Sequence, residues 1–328
     1  MRHYLTGLAL ACAMAAPAVT AENAYTPPAL IDYSALHNVL IRSDDGTLTP
    51  ADVPYYRSKL IAPGTWQIES DGDYSYLIEG DKEALAIDTG YGAGNIRQYL
   101  QTLTQKPVRM VASTHFHFDH TALNGYFDRA LMSKETAEKA TIPYPSFGAM
   151  KFPRDYPVQI VKDGDVIPLG GRDILVIMGG NHTPGSTMYL DTKQRILFGG
   201  DEFMPRGVRV GITVEQFAGI MERVVAHRGQ FDRIAGGPGI FDGHDADKLL
   251  AAAQAVLAGK EGEMPKGGPG GMPGAANGPA TPEGVTVYQR RAVRAPDRPA
   301  GLGGAPSPTA RVMAVDGLQI SYDVNRIR

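Results

Sequence analysis

Thr114-His115-Phe116-His117-Phe118-Asp119-His120 packs three of the chain's eight histidines and one carboxylate into seven residues. No ordinary packing need calls for that. On an extended backbone the alternation with phenylalanine points His115 and His117 the same way; Asp119 continues that face and His120 turns to the other. Imidazole and carboxylate together suit zinc and similar divalent metals. The competing reading is a solvated histidine-rich loop. The motif follows the apolar run Val108-Arg109-Met110-Val111-Ala112, which reads as a buried strand. It therefore belongs in a loop at a strand's C-terminal end, held by a rigid scaffold.

The scaffold signals surround it. Thr65 opens the regular core, with strands predicted at Trp66–Ile68, Tyr74–Ile78 and Ala84–Asp88. Helices are predicted over Asn95–Leu103 and Lys134–Ala140, with a Pro-punctuated insertion over 141–157. Further strands are expected at Val158–Val161, Ile174–Met178, Met188–Leu190 and Arg195–Phe198. Thr213–His227 puts Val214, Phe217, Ile220, Met221 and Val224 on one helical face, and Asp245–Leu257 is an Ala-rich helix.

The termini read differently. Arg2 and His3, the apolar run from Leu5 to Ala16, and the small residues up to Ala21 have the form of a secretory signal, cut before Glu22. The run is too short to span a bilayer, so no stable membrane anchor is expected. Cys12, the one cysteine, lies inside it, so the mature chain has no thiolate ligand and no disulfide. Residues 22–63 read as a Pro-rich leader, with a short helix around Ser34–Ile41. Residues 262–282 hold seven Gly and five Pro, the composition of a linker. Strand-like pieces at 285–288, 311–315 and 318–322 form a tail that either docks back or pairs with a partner. The expected division is thus a signal peptide over 1–21, a leader over 22–63, a globular domain that carries the histidine motif over 64–260, a linker over 261–310 and a tail over 311–328. At 328 residues, 43% hydrophobic, with a net charge of −3, the chain has globular composition and no electrostatic case for nucleic acid.

Three more segments carry chemistry. Asn181-His182-Thr183-Pro184-Gly185-Ser186 sets a histidine in a tight turn; Leu197-Phe198-Gly199-Gly200-Asp201 ends a strand in a carboxylate; Asp88 ends the strand from Ala84. Together, over residues 64–258, these segments and the HxHxDH motif resemble the metallo-β-lactamase superfamily. The resemblance implies an α/β fold, a four-layer αβ/βα sandwich with the site at one edge. It implies a first metal on His115, His117 and His182, a second on Asp119 and His120, a bridging Asp201, and Asp88 holding the loop. The implied cofactor is one or two Zn2+ ions or other divalent metals.

One departure is plain. The family's last second-site histidine is expected within Ile234-Ala235-Gly236-Gly237-Pro238-Gly239, where Pro238 stands instead. His244 is the candidate substitute. A weakened second site favours esters, thioesters and lactones over amides. The expected function is an exported hydrolase, periplasmic or secreted, that acts on a small-molecule substrate. A metal-bound hydroxide oriented by Asp119 would attack an ester, lactone or thioester carbonyl. The alternatives are a periplasmic β-lactamase, disfavoured by an aspartate at 201 where those enzymes usually carry Cys or Ser, and a non-catalytic binding protein with a degraded second site. Tyr144, Phe147 and Phe152 could line an acyl pocket, and Arg206 and Arg209 could meet a substrate carboxylate; ordinary packing and a solvated surface compete with both.

Overall fold

Two sheets, in which the strands Ala84–Ile87, Thr187–Asp191 and Ile196–Gly200 are buried along their whole length, form the centre of the protein. A computed structural model describes residues 39–42, 48–50, 56–70, 73–90, 95–143, 152–205, 207–237, 239–265, 286–289 and 307–328. The expected signal peptide, Tyr144, Phe147, Arg206, Pro238 and most of the expected linker lie outside these residues.

In chain order, β1 (Val39–Arg42) and β2 (Leu48–Pro50) precede β3 (Arg57–Ala62), β4 (Thr65–Ser70), β5 (Asp73–Glu79) and β6 (Ala84–Ile87). Then come α1 (Ile96–Leu103), β7 (Val108–Ala112), α2 (Phe118–Thr121), β8 (Arg129–Met132), α3 (Lys134–Lys139) and β9 (Val158–Ile160). The second half runs β10 (Val166–Pro168), β11 (Asp173–Met178), β12 (Thr187–Asp191), β13 (Ile196–Gly200), β14 (Gly207–Arg209), α4 (Val214–Ala226), β15 (Arg233–Gly236), β16 (Gly239–Asp242) and α5 (Asp245–Leu257). The last strands are β17 (Thr286–Gln289), β18 (Ala310–Val315) and β19 (Leu318–Asp323).

One sheet holds seven strands in the order β3-β4-β5-β6-β7-β8-β9; the other holds six, β10-β11-β12-β13-β15-β16. Alternation along each strand fixes the layers. Leu85 and Ile87 of β6, with Met110 and Ala112 of β7, pack against Ile174, Val176, Tyr189 and Phe198 of the facing sheet. The intervening residues point outward. Ala84, Ala86 and Val111 meet Ile96 and Leu100 of α1. Met188, Leu190 and Leu197 meet Val214, Phe217 and Met221 of α4 and Leu249 and Val256 of α5. Helices cover both outer faces, so apolar side chains occupy both sides of the central strands. The order α, β, β, α is the four-layer sandwich expected from the sequence. The helix α4 starts with a reciprocal capping box between Thr213 and Gln216.

The structure departs from expectation at two places, and the tail takes the first of its two expected courses. The large sheet starts at Arg57, inside the expected leader. Residues 39–41, expected in a helix, belong to β1, which pairs with β2 and, in parallel, with β17 from the expected linker. The tail docks back: β19 runs parallel to β14, β18 pairs with β19, and Met313, Ile320 and Tyr322 enter the core beside α4 and α5. The tail completes the apolar cover of the domain.

Candidate metal centre

Parallel pairing aligns β6 with β7, and β13 with β15. The C-terminal ends of these strands carry Asp88, the histidine motif, Asp201 and Gly237 to one edge of the sandwich. Asp88 stands at φ 56°. A non-glycine residue held there costs on the order of 1–3 kcal/mol, a strain that persists where the surroundings fix it. What fixes it is visible. Oδ1 accepts the Thr114 backbone N–H at 2.7 Å, and Oδ2 accepts the Thr114 hydroxyl at 2.7 Å and faces His120 Nδ1 at 2.9 Å. The carboxylate thus takes the Nδ1 side of His120 and turns Nε2 toward the cluster. That is the arrangement by which carboxylates orient metal-binding imidazoles. Nε2 is buried, has no hydrogen-bond partner among the described residues, and lies 3.7 Å from Asp119 Oδ2 and 3.6 Å from Asp201 Oδ1.

Three imidazoles converge beside it. His115 Nε2 is 3.0 Å and His182 Nε2 3.1 Å from His117 Nδ1. Nitrogens at roughly 2.0–2.1 Å from a tetrahedral zinc stand about 3.3 Å apart, so this spacing fits three ligands of one ion. Thr114 Oγ1, 3.1 Å from His115 Nδ1, orients that ring. Asp201 reaches both groups, with Oδ2 3.5 Å from His182 Nε2 and Oδ1 3.6 Å from His120 Nε2. Its approach needs glycine nearby: a Cβ at Gly237 would stand 2.6 Å from Asp201 Oδ1, and one at Gly200 2.6 Å from Thr114 Oγ1.

His182 is placed by a buried carboxylate. Glu202 Oε1 accepts backbone N–H bonds from Gly180, Asn181 and His182 at 3.1, 3.0 and 2.9 Å. The loop between β11 and β12 is therefore tied to the residue after Asp201.

The electrostatics separate the two groups. Burial and the neighbouring His182 ring hold His117 at about 4, so it is neutral and able to ligate at pH 7. Burial also opposes charge on His120, but the carboxylates of Asp119, Asp88 and Asp201 outweigh it and push this imidazole up to about 10. The second group therefore attracts positive charge strongly. An inward-facing imidazole nitrogen and buried carboxylates fit a divalent cation there, and the three imidazoles fit another.

His115, His117, Asp119, His120, His182 and Asp201 are brought to one place. The expected extended alternation ends at His117, after which the backbone turns into the short helix α2. That turn moves His120 off the opposite face: its ring centroid lies 4.1 Å from that of His115. His244 is not brought to the cluster. β16 starts beside Gly236 and runs back along β15, pairing Asp242 with Arg233, so three residues, roughly 10 Å, carry the chain away. His244 then faces Asp247 at 3.1 Å with its side chain 70% exposed. Phe152 packs edge-on against Phe118 at 4.9 Å in the helix-side core, and Arg209 is exposed on β14.

Two buried acids lay outside the sequence reading. Glu202 follows the strand-end Asp201, and nothing in its spacing distinguishes it. Asp73 lies within a grouping of Asp73, Asp119 and His120 whose ligand atoms are all within 4.8 Å of one another. In sequence, Asp71-Gly72-Asp73 has hairpin-turn composition, which carries no metal signal.

A family model described as the metallo-beta-lactamase superfamily matches residues 71–264. Among curated proteins, the acyl-coenzyme A thioesterase MBLAC2 of Homo sapiens is 27% identical over 220 residues, covering 54% of this chain and 76% of the relative. The atrochrysone carboxyl ACP thioesterase of Aspergillus fumigatus is 22% identical over 165 residues, covering 49% of each. A solved metallo-beta-lactamase from Pontibacter korlensis superposes with a TM-score of 0.47 at 19% identity, covering 61% of this chain and 99% of that one.

Proposed function

The chain belongs to the metallo-beta-lactamase superfamily, and from that premise we propose that it is an exported, zinc-dependent hydrolase of small acyl thioesters. The observation that carries the hydrolytic reading is Asp201, whose two oxygens reach the three-histidine group on one side and His120 on the other. Thioesters are preferred over the esters and lactones admitted by the sequence because the relatives named above are thioesterases.

His115, His117 and His182 would hold one cation, Asp119 and His120 a second, with Asp201 between them. When bound, such cations supply a water acidified toward neutral pH and an electrophile for the carbonyl oxygen. The chain's own groups do the positioning. Asp119 is buried beside His120, where its carboxylate orients the attacking water and accepts its proton. Asp88 fixes the His120 ring and, through Thr114, the start of the motif. Glu202 fixes the His182 loop. The thiolate leaving group departs as a weak base, so the reaction asks less of a leaving-group acid than amide cleavage does.

The test is turnover by the zinc-loaded protein across acyl thioesters, aryl esters, lactones and β-lactams. Thioester hydrolysis that leads the panel and disappears with Asp119→Asn is expected. A fully loaded protein inert on every member, or one that leads with β-lactams, overturns the reading. For export, the N-terminus of protein recovered from the cell envelope should be Glu22; an intact Met1 contradicts cleavage.

A further inference from the structure

Asp73 is the first residue of β5 and pairs across the hairpin with Ser70 at the end of β4. In the β5–β6 register Tyr76 stands opposite Ile87. Continued by three residues, this sets Asp73 level with Gly90, just past Asp88. Asp73 therefore arrives at the centre from the N-terminal hairpin, whereas Asp119, His120 and Asp201 arrive from later loops. It is 6% exposed, Asp119 2%, His120 3% and Asp201 7%.

Asp73, Asp119 and His120 offer ligand atoms that all lie within 4.8 Å of one another, and the buried carboxylate of Asp201 reaches the same imidazole at 3.6 Å. His120 Nε2, buried and without a hydrogen-bond partner among the described residues, points into the same space.

We propose that Asp73 is the ligand that completes the second metal site, taking the part of the histidine displaced by Pro238. The inference rests on the metal-centre reading above. It replaces an imidazole by a carboxylate and gives the second site Asp73, Asp119, His120 and the shared Asp201. That set is richer in hard oxygen donors than the three-histidine site. Carboxylates favour manganese and magnesium more than imidazoles do, so the two sites differ in selectivity: the first retains zinc and the second exchanges zinc for Mn2+.

The experiment is metal analysis of the full chain after equilibration with Zn2+ and Mn2+, with a chelator titration of each cation. Wild-type protein should hold two cations, the weaker one replaceable by Mn2+. Asp73→Asn should weaken that cation at least tenfold and leave the zinc on His115, His117 and His182 within twofold. Unchanged affinity for both cations in Asp73→Asn, or a single cation in wild type, overturns the proposal. Should the variant fail to fold, wild-type crystals loaded with Mn2+ decide it. An anomalous peak roughly 2.2 Å from an Asp73 oxygen supports the assignment, and a peak beyond its reach refutes it. Two bound cations with no thioester turnover would refute the hydrolase reading and leave the Asp73 assignment standing.

Discussion

Glu202 tests whether the His182 loop is preset by the fold or shaped by the metal. One buried oxygen, Oε1, receives three backbone N–H groups from consecutive residues ending at His182, while Oε2 has no hydrogen-bond partner among the described residues. Hydrogen bonds to a charged group contribute about 1.5–3 kcal/mol each, against about 0.5–1.5 for neutral ones. Three bonds sharing one acceptor are not additive. Glu202→Gln keeps the shape and an acceptor but removes the charge, a loss of about 2 kcal/mol in loop order. Each 1.4 kcal/mol is a factor of ten, so cation affinity at the three-histidine site should fall roughly thirtyfold. Glu202→Ala, which leaves the three donors unmatched, should cost about 3–5 kcal/mol of overall stability. The assay is competition for zinc against a chromophoric chelator, with hydrogen exchange at the Asn181 and His182 amides read in parallel. Glu202→Gln binding within twofold of wild type, with the amides equally protected, would refute a preset loop and leave the metal as its organiser.

Other substitutions separate structure from site. Arg172 bonds Asp191 in one sheet and the Gly64 and Glu79 carbonyls in the other at 2.7 and 2.9 Å. Arg172→Ala should cost about 3–5 kcal/mol in urea unfolding by leaving Asp191 buried and uncompensated, without changing metal stoichiometry; a loss within 1 kcal/mol would contradict that. His244→Ala should leave metal content and rate unchanged, because the side chain is exposed on Asp247; loss of one cation would restore it as a ligand. Stripping the metals should lower the melting temperature in proportion to ligand binding, and an unchanged melt would mean that no cation is bound to the native fold. Deleting residues 310–328 uncovers the cluster containing Met313, Ile320 and Tyr322, so a chain ending at 309 should lose solubility and melt lower than the full chain.

What the sequence made legible depended on whether a signal was local. Helix α5 was read at Asp245–Leu257, its observed bounds, because an Ala-rich run is a local signal. The six clustered donors were read because five come from short motifs at strand ends and the sixth, His182, from a tight turn, and because these segments in this order resemble those of the superfamily. The misreadings share a different cause. His244 was credited from sequence distance to the Gly-Pro-Gly segment, but an antiparallel return along β15 converts nearness in sequence into separation in space. Asp73 was passed over for the converse reason. It lies 46 residues before Asp119, in a dipeptide context typical of turns, and only the pairing of β4, β5 and β6 brings it to the edge where Asp88 sits. A ligand supplied by a remote hairpin leaves no spacing signature, whereas the loss of a ligand from a recognised turn leaves a conspicuous one. The proline at 238 therefore made the second site look degraded from sequence, although the fold delivers a buried carboxylate to the same centre from the opposite end of the domain.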